Sequence, residues 1–295
     1  MTRVVFLLVP GLHLLDLAGP AQVFSSARDL GFPYDLAYVG EVDQVPTAQG
    51  PVLRADTALP ELTTDDVVVV PGWRSGRDHG GLAAATVAWL RGHRGTIASV
   101  CAGADALGRA GLLDGRRCTT HHDLQEELAR RYPAATVVRD VLYVTDGRVV
   151  TSAGIASGID LALHLVASWH GPSVAARIAR TMVVYARRNG DEGQSSALLR
   201  HRSHVNDTVH RIQDLIESRL TDPLPLAELA RAGGCSPRTV TRLFSRATGM
   251  TPLRYQQTLR LERAEHLIGT GATVESAARA VGFEDARMLR RLRSR

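Results

Sequence analysis

The chain has 295 residues, 44% hydrophobic and 22% charged, which suits a soluble globular protein of two domains. No apolar run reaches the ~18–20 residues of a membrane-spanning helix. The three widely spaced cysteines, Cys101, Cys118 and Cys235, argue against a disulfide framework or a zinc ribbon and fit a reducing cytoplasm.

The charge is unevenly placed. Residues 1–204 carry 20 Arg against 20 acids, whereas residues 205–295 carry 15 Arg against 10 acids, so the whole excess of +5 lies in the last third. All 35 basic residues are arginine, which is a genome-composition effect, and only the asymmetry hints at an anionic partner.

The first part alternates strand and helix signals. Arg3–Val9 is a continuous apolar run closed by Pro10-Gly11, so it reads as a buried strand rather than a signal peptide. Leu15–Leu30 has helical spacing. Tyr34–Val39 and Val52–Arg54 are strand candidates, and Asp66–Val70 is a strand ending in Pro71-Gly72. Gly81–Arg91 is helical, Thr96–Val100 a strand, Ala104–Ala110 and Leu124–Arg131 helices. Val141–Thr151 is a hairpin about Asp146-Gly147, followed by helices at Ile159–Ser168 and Val174–Arg187. This alternation predicts a flavodoxin-like α/β domain over 1–188, with a doubly wound parallel sheet and its chemistry at the strand C-terminal ends.

Residues 189–204 are polar and lack an apolar period, so they read as a linker. Beyond them, over 205–295, every pattern is helical: Val205–Arg219, Leu226–Ala232, Pro237–Ala247, Pro252–Ile268, Val274–Ala280, and Asp285 to the end.

A weak internal duplication lies in this all-α part. In LAELARAGGCSPRTVTRLFSRAT a short helix runs into Gly233-Gly234, and a second opens with Ser236 as N-cap and Pro237 at its first position. Val240, Leu243, Phe244 and Ala247 make its buried face. Arg238, Thr239, Thr241, Arg242 and Arg246 lie elsewhere, suited with Ser236 to a DNA major groove. TVESAARAVGFEDARMLRRLR repeats the plan, with Met288, Leu289 and Leu292 inward and Arg287, Arg290 and Arg291 outward. TPLRYQQTLRLERAEHLI between them is a rod of ~25 Å at 1.5 Å per residue, able to hold two reading helices about one DNA turn apart.

The ordered set over ~205–295 resembles the DNA-binding domain of AraC-type regulators. The resemblance implies a tandem helix-turn-helix module, double-stranded DNA as partner, and reading helices at Ser236–Thr248 and from Asp285. The family continues beyond the point that Arg295 reaches, with the rest of its last reading helix and a final short helix.

In the first domain, Cys101 ends the strand TIASV and starts a small-residue turn, the geometry of a nucleophile elbow. A helix N-terminus there would favour thiolate. With the first strand and Thr96–Val100 as neighbours, Asp16 is placed to hydrogen-bond Cys101 and tune its protonation. His121 or His122 could approach, although an ordinary solvent-facing histidine is the simpler expectation. Cys118 and Cys235 are expected to be packing residues.

VPGLHLLDLAGPAQVF, VVVVPG, SVCAGADALGRAGLLDGRRCTTHHDL and TSAGIASGIDLALHLV resemble the PfpI-type superfamily, which is class I glutamine amidotransferase-like. Within it they resemble isonitrile hydratase and the sensor domains of GlxA-type regulators. The resemblance implies a homodimer with a pocket around Asp16, Gly72, Trp73, Cys101 and Ala102. Two positions depart from catalytic members: Ala102 replaces a His or hydroxyl residue, and Trp73 replaces a second Gly that would serve an oxyanion.

The expectation is therefore a sequence-specific DNA-binding transcription regulator sensing a small amide, nitrile-like or nitrogenous molecule, with no metal and no cofactor. The alternatives are a Cys-dependent hydrolase or hydratase, with Cys101 and Asp16 as catalytic pair, and a redox sensor built on Cys101.

Overall fold

The computed structural model describes residues 2–74, 82–184, 189–191, 193–194, 201–202, 204–269 and 271–293. They form two compact units, Met1–Gln194 and Ser195–Arg295. Gly81, residues 185–188, much of the expected linker and the last two residues lie outside the described set.

In the first unit the strands are β1 (Thr2–Leu8), β2 (Tyr34–Gly40), β3 (Gln44–Pro46), β4 (Val52–Arg54), β5 (Val67–Val70), β6 (Thr96–Val100), β7 (Arg117–Cys118), β8 (Thr136–Val137), β9 (Tyr143–Asp146) and β10 (Val149–Ser152). The helices are α1 (Leu14–Asp29), α2 (Ala84–Gly92), α3 (Ala104–Arg109), α4 (Gln125–Arg131), α5 (Ser157–His170) and α6 (Pro172–Thr181). Six strands make the main sheet in the order β2-β1-β5-β6-β10-β9. All its pairings are parallel except the β9–β10 hairpin.

The apolar run of β1 is continuous because both faces are covered. Val4, Phe6 and Leu8 pack into one core with residues of α1, α5 and α6. Val5 and Leu7 pack into the other with Leu90 of α2, Leu107 of α3 and Leu128 of α4. Of the short pairs β3–β4 and β7–β8, only β4 coincides with an expected strand, Val52–Arg54; β3, β7 and β8 escape sequence reading, since runs of two or three residues carry no usable period.

Two expectations change here. First, β1 and β6 are not neighbours; β5 lies between them, so Asp16 and Cys101 meet across the turn after β5. Second, residues 189–194 behave as part of the first unit. The Gly190 carbonyl accepts from the Leu142 N–H at 2.9 Å, and the Gln194 N–H donates to Asp140 at 3.0 Å. At the far end of the expected linker, Arg202 ion-pairs with Asp214 and Glu217 of the second unit, both at 2.6 Å.

The second unit holds α7 (Asp207–Ser218), α8 (Leu226–Gly233), α9 (Pro237–Thr248), α10 (Pro252–Gly269), α11 (Val274–Ala280) and α12 (Ala286–Arg293). It has two small cores. Ile212, Leu229, Val240, Phe244 and Tyr255 belong to one, and Ala264, Ala277, Val281, Phe283 and Leu289 to the other. Helix α10 contributes to both, as a shared spacer of ~27 Å at 1.5 Å per residue.

Candidate functional site

The candidate site of the first unit forms where the ends of β5, β6 and β10 bring Gly72, Cys101 and Ile155 to Asp16. Cys101 follows β6 with φ +55°, in the left-handed region that a side-chain-bearing residue enters at a cost of ~1–3 kcal/mol. It opens a tight turn, Cys101–Gly103, that leads into α3. The Thr120 hydroxyl holds the turn by donating to the Cys101 carbonyl at 2.8 Å.

Asp16 lies in the first turn of α1 and is fully buried. Its Oδ1 accepts the Ile155 N–H at 2.8 Å, and Ile155 is itself left-handed at φ +45°. Its Oδ2 is buried with no hydrogen-bond partner. Burial pushes the carboxyl up to about 6, against the pull of the Ile155 and Gly72 amides.

Gly72 is the spacer between these groups. A Cβ there would come within 2.5 Å of Asp16 Oδ2, 2.7 Å of Cys101 Cβ and 2.8 Å of the Ala102 nitrogen, so only glycine fits. Trp73 is half-buried and packs against both cores of the unit. Exposed Leu15 and Ile155 flank Asp16.

The chemistry of Cys101 differs from the sequence expectation in two respects. The thiol is not driven toward thiolate: burial and the Asp16 charge push it up to about 12, outweighing the Ala102 amide that pulls it down. The six residues of α3 give too short a dipole to reverse that. Nor does the thiol bond Asp16 Oδ2, which stays unpartnered; the two interact through space. Buried Cys118 and half-buried Cys235 are packing residues.

The rings of His121 and His122 lie with centroids 4.1 Å apart, tilted by 33° to each other. His121 is held below its ordinary value by burial, His122 and His13, while Asp123 opposes them. Asp123 in turn raises the Cys101 thiol, so this group stands close to the pocket.

The second candidate site is the outer face of the second unit. Ser236 caps α9, accepting from the Thr239 N–H at 3.2 Å. Val240, Phe244 and Thr248 form its buried ridge. Arg238, Arg242 and Arg246 repeat the same four-residue spacing two positions earlier, about 200° around the helix. All three are exposed, and none has a hydrogen bond or ion pair among the described residues. Thr239 and Thr241 are more committed: Thr239 bonds Ser236 at 2.9 Å, and Thr241 donates back to the Pro237 carbonyl at 3.2 Å.

The arginines of α12 are engaged. Asp285 caps this helix by accepting the Arg287 N–H at 2.8 Å and lies 3.5 Å from the Arg287 guanidinium. Arg290 pairs with Glu275 of α11 at 2.5 Å. Leu289 is buried, with Met288 and Leu292 packed beside it.

Sequence reading missed how the two helix-turn-helix units are joined. Arg260 of α10 donates to the carbonyls of Leu220 (2.7 Å), Asp222 (3.0 Å) and Gly282 (2.9 Å), and its guanidinium lies over Phe283. Gly282, at φ +81°, lets its turn pack on Thr221, whose carbonyl oxygen would be 2.4 Å from any Cβ there. Arg260 therefore ties the turn of the second helix-turn-helix to the loop that precedes α8, all within the second unit. The only hint in the sequence is a basic residue on a helix whose neighbours Leu259 and Leu261 are apolar.

The DJ-1/PfpI family model matches residues 2–168, and the "Helix-turn-helix domain" model matches residues 229–295. The chain belongs to the DJ-1/PfpI family and carries an AraC-type helix-turn-helix domain behind it. It is 30% identical over 286 residues to the HTH-type transcriptional regulator CdhR of Pseudomonas aeruginosa, spanning 95% of this chain and 84% of that one. It is 35% identical over 191 residues to the isonitrile hydratase of Pseudomonas putida, spanning 61% of this chain and 77% of the enzyme. A THiJ/PfpI family protein from Pseudomonas syringae shares the fold, with a TM-score of 0.55 at 22% identity over 79% of this chain and 90% of its own. The two-domain plan over nearly the full length is that of a DNA-binding transcription regulator with a sensing domain. No helix among the described residues is long and apolar enough to cross a membrane.

Proposed function

We propose that this regulator binds a small nitrogen-bearing effector beside Asp16 and the Cys101 turn without turning it over, and that it reads DNA as a homodimer through α9 and α12. The supporting observation is the Asp16 carboxylate, fully buried with one oxygen unpartnered beside the cysteine turn. Such a group costs free energy until a donor reaches it. An amide or ammonium N–H supplies that donor, while a thiol pushed up to about 12 makes a poor nucleophile at neutral pH.

A continuous set of contacts leads from the pocket to the end of the first unit. Thr120 holds the Cys101 carbonyl, and the Gln194 side chain donates to the Thr120 carbonyl at 2.9 Å and to that of Val141 at 3.2 Å. Gln194 is the last residue before the segment that leads to the DNA-binding unit. In this reading, effector binding shifts the Cys101 turn between two arrangements and Gln194 carries the shift onward.

The test is titration of the purified chain onto its own upstream DNA and onto random duplex, with and without a panel of small amides, amines and isonitriles. Salt-sensitive, sequence-selective binding that one panel member alters is expected. Equal affinity for both duplexes overturns the DNA-reading proposal. Gln194→Leu should keep DNA affinity and lose the effector response; an unchanged response removes Gln194 from the coupling.

The likeness to an isonitrile hydratase supports a second reading, in which Cys101 adds to substrate. Turnover of isonitriles by the wild type that Cys101→Ala abolishes would replace the sensing proposal.

A further inference from the structure

We infer that His121, His122 and Asp123 form a site for one divalent transition-metal ion at the edge of the pocket. The three residues each offer one ligand atom, and these atoms all lie within 4.8 Å of one another. The Asp123 carboxylate faces both rings, with one oxygen 3.6 Å from His121 Nδ1 and the other 3.4 Å from His122 Nε2.

The two carboxylate–imidazole separations are near those of a shared ion, while one atom from each residue spans up to 4.8 Å, so the side chains close in as the ion binds. Ligands held at ~2.0–2.1 Å in a tetrahedral shell lie about 3.4 Å apart. Two imidazoles and a carboxylate suit zinc, cobalt or nickel rather than calcium or magnesium. Three protein ligands leave a fourth position open, as in sites where the ion meets a ligand rather than only bracing the fold.

The surroundings agree. His121 is only partly exposed, so one ring of the set is already held in place. The one bond the ion would displace is weak, the Asp123 N–H to His121 Nδ1 at 3.4 Å. His122 and Asp123 are exposed, so an ion can enter without opening the unit. Since Asp123 acts on the Cys101 thiol through space, a bound dication would reverse the sign of that influence and make the thiol more acidic. The inference adds a second ligand class to the pocket and is independent of the effector's identity.

The experiment titrates cobalt(II) chloride into the full chain and follows visible d–d absorption. One equivalent per chain should give the bands of a low-coordinate ion, and zinc(II) should erase them by displacement. His122→Asn and Asp123→Asn should each weaken binding by about tenfold or more, and His266→Ala, in the other unit, should leave it intact. The substituted side chains of the first two variants are exposed, so their melting without metal should match the wild type. Absence of the bands, or bands equally strong in all three variants, overturns the site. Because neither DNA nor effector is present, that failure would leave the pocket proposal standing.

Discussion

Oδ2 of Asp16 and the Arg238–Arg242–Arg246 ridge both lack partners among the described residues, one in the interior of its unit and the other on the surface. The settings make the two shortfalls different in kind. A buried oxygen without a donor cannot fall back on water, so it raises the free energy of the fold and ties that energy to whatever small donor enters. Exposed guanidinium groups are hydrated, cost the fold little, and keep their charge for a polyanion. A small-molecule site is thus marked by strain inside, and a DNA face by unspent charge outside. The left-handed Cys101 and Ile155 around Asp16 belong to the same interior pattern.

The largest expected effect tests the interior side. The Asp16 carboxyl rises from 3.8 to about 6 on folding, so the folded state holds its proton more tightly. The associated stability is present below pH ~4 and is lost as pH rises through ~6. At 1.36 kcal/mol per unit this amounts to about 3 kcal/mol as an order of magnitude. Trp73, Trp89 and Trp169 all lie in the first unit, so tryptophan fluorescence follows its urea unfolding alone. Wild type should lose stability from pH 4 to pH 7 relative to Asp16→Asn, which lacks that loss and keeps only the opposite contribution of His13, His93 and His121, whose burial lowers their pKa. Parallel curves would remove Asp16 as the strained group.

The next effect tests the exterior side and divides it. Arg242→Ala removes a free guanidinium from α9, and a base or phosphate contact of this kind is worth ~1–3 kcal/mol in DNA affinity. Arg290→Ala should cost less than half as much, because Arg290 must first leave Glu275. Neither change should move the melting of the protein, since both side chains are exposed. Equal losses measured by fluorescence anisotropy at one salt concentration would show that the two reading helices are equivalent after all.

Parts of this comparison were legible in the sequence, for physical reasons. The strand VVFLL and the DVVVV run show a sheet covered on both faces, because burial on both sides leaves no polar alternation. Ser236-Pro237 marks a helix start, and the apolar spacing after it separates the Arg ridge from the core. Cys101 at a strand end and Asp16 early in the first helix stood out as a pair, yet the way they meet did not: β5 and Gly72 come between them, and strand order is not written in local pattern. The unpartnered Oδ2, the reach of Gln194 to Thr120, and the Arg260 tie depend on contacts between distant residues. The same holds for Arg290, whose partner lies fifteen positions away. An outward arginine reads alike on α9 and α12; only the fold reveals which one is already engaged.

That last distinction yields the smallest and sharpest prediction. Glu275→Gln removes the charge that holds Arg290 while keeping the shape of the side chain. An exposed pair contributes only ~0–1 kcal/mol, so the fold should be unaffected and DNA binding should tighten by no more than about fivefold. The salt dependence is more telling than the affinity. A newly freed arginine that reaches a phosphate steepens the slope of log K against log salt by about 0.9. If Glu275→Gln steepens that slope and Glu275→Gln with Arg290→Ala restores it, the pair restrains the second reading helix. If the slope stays fixed in both, α12 does not carry Arg290 to the duplex, and the reading face reduces to α9.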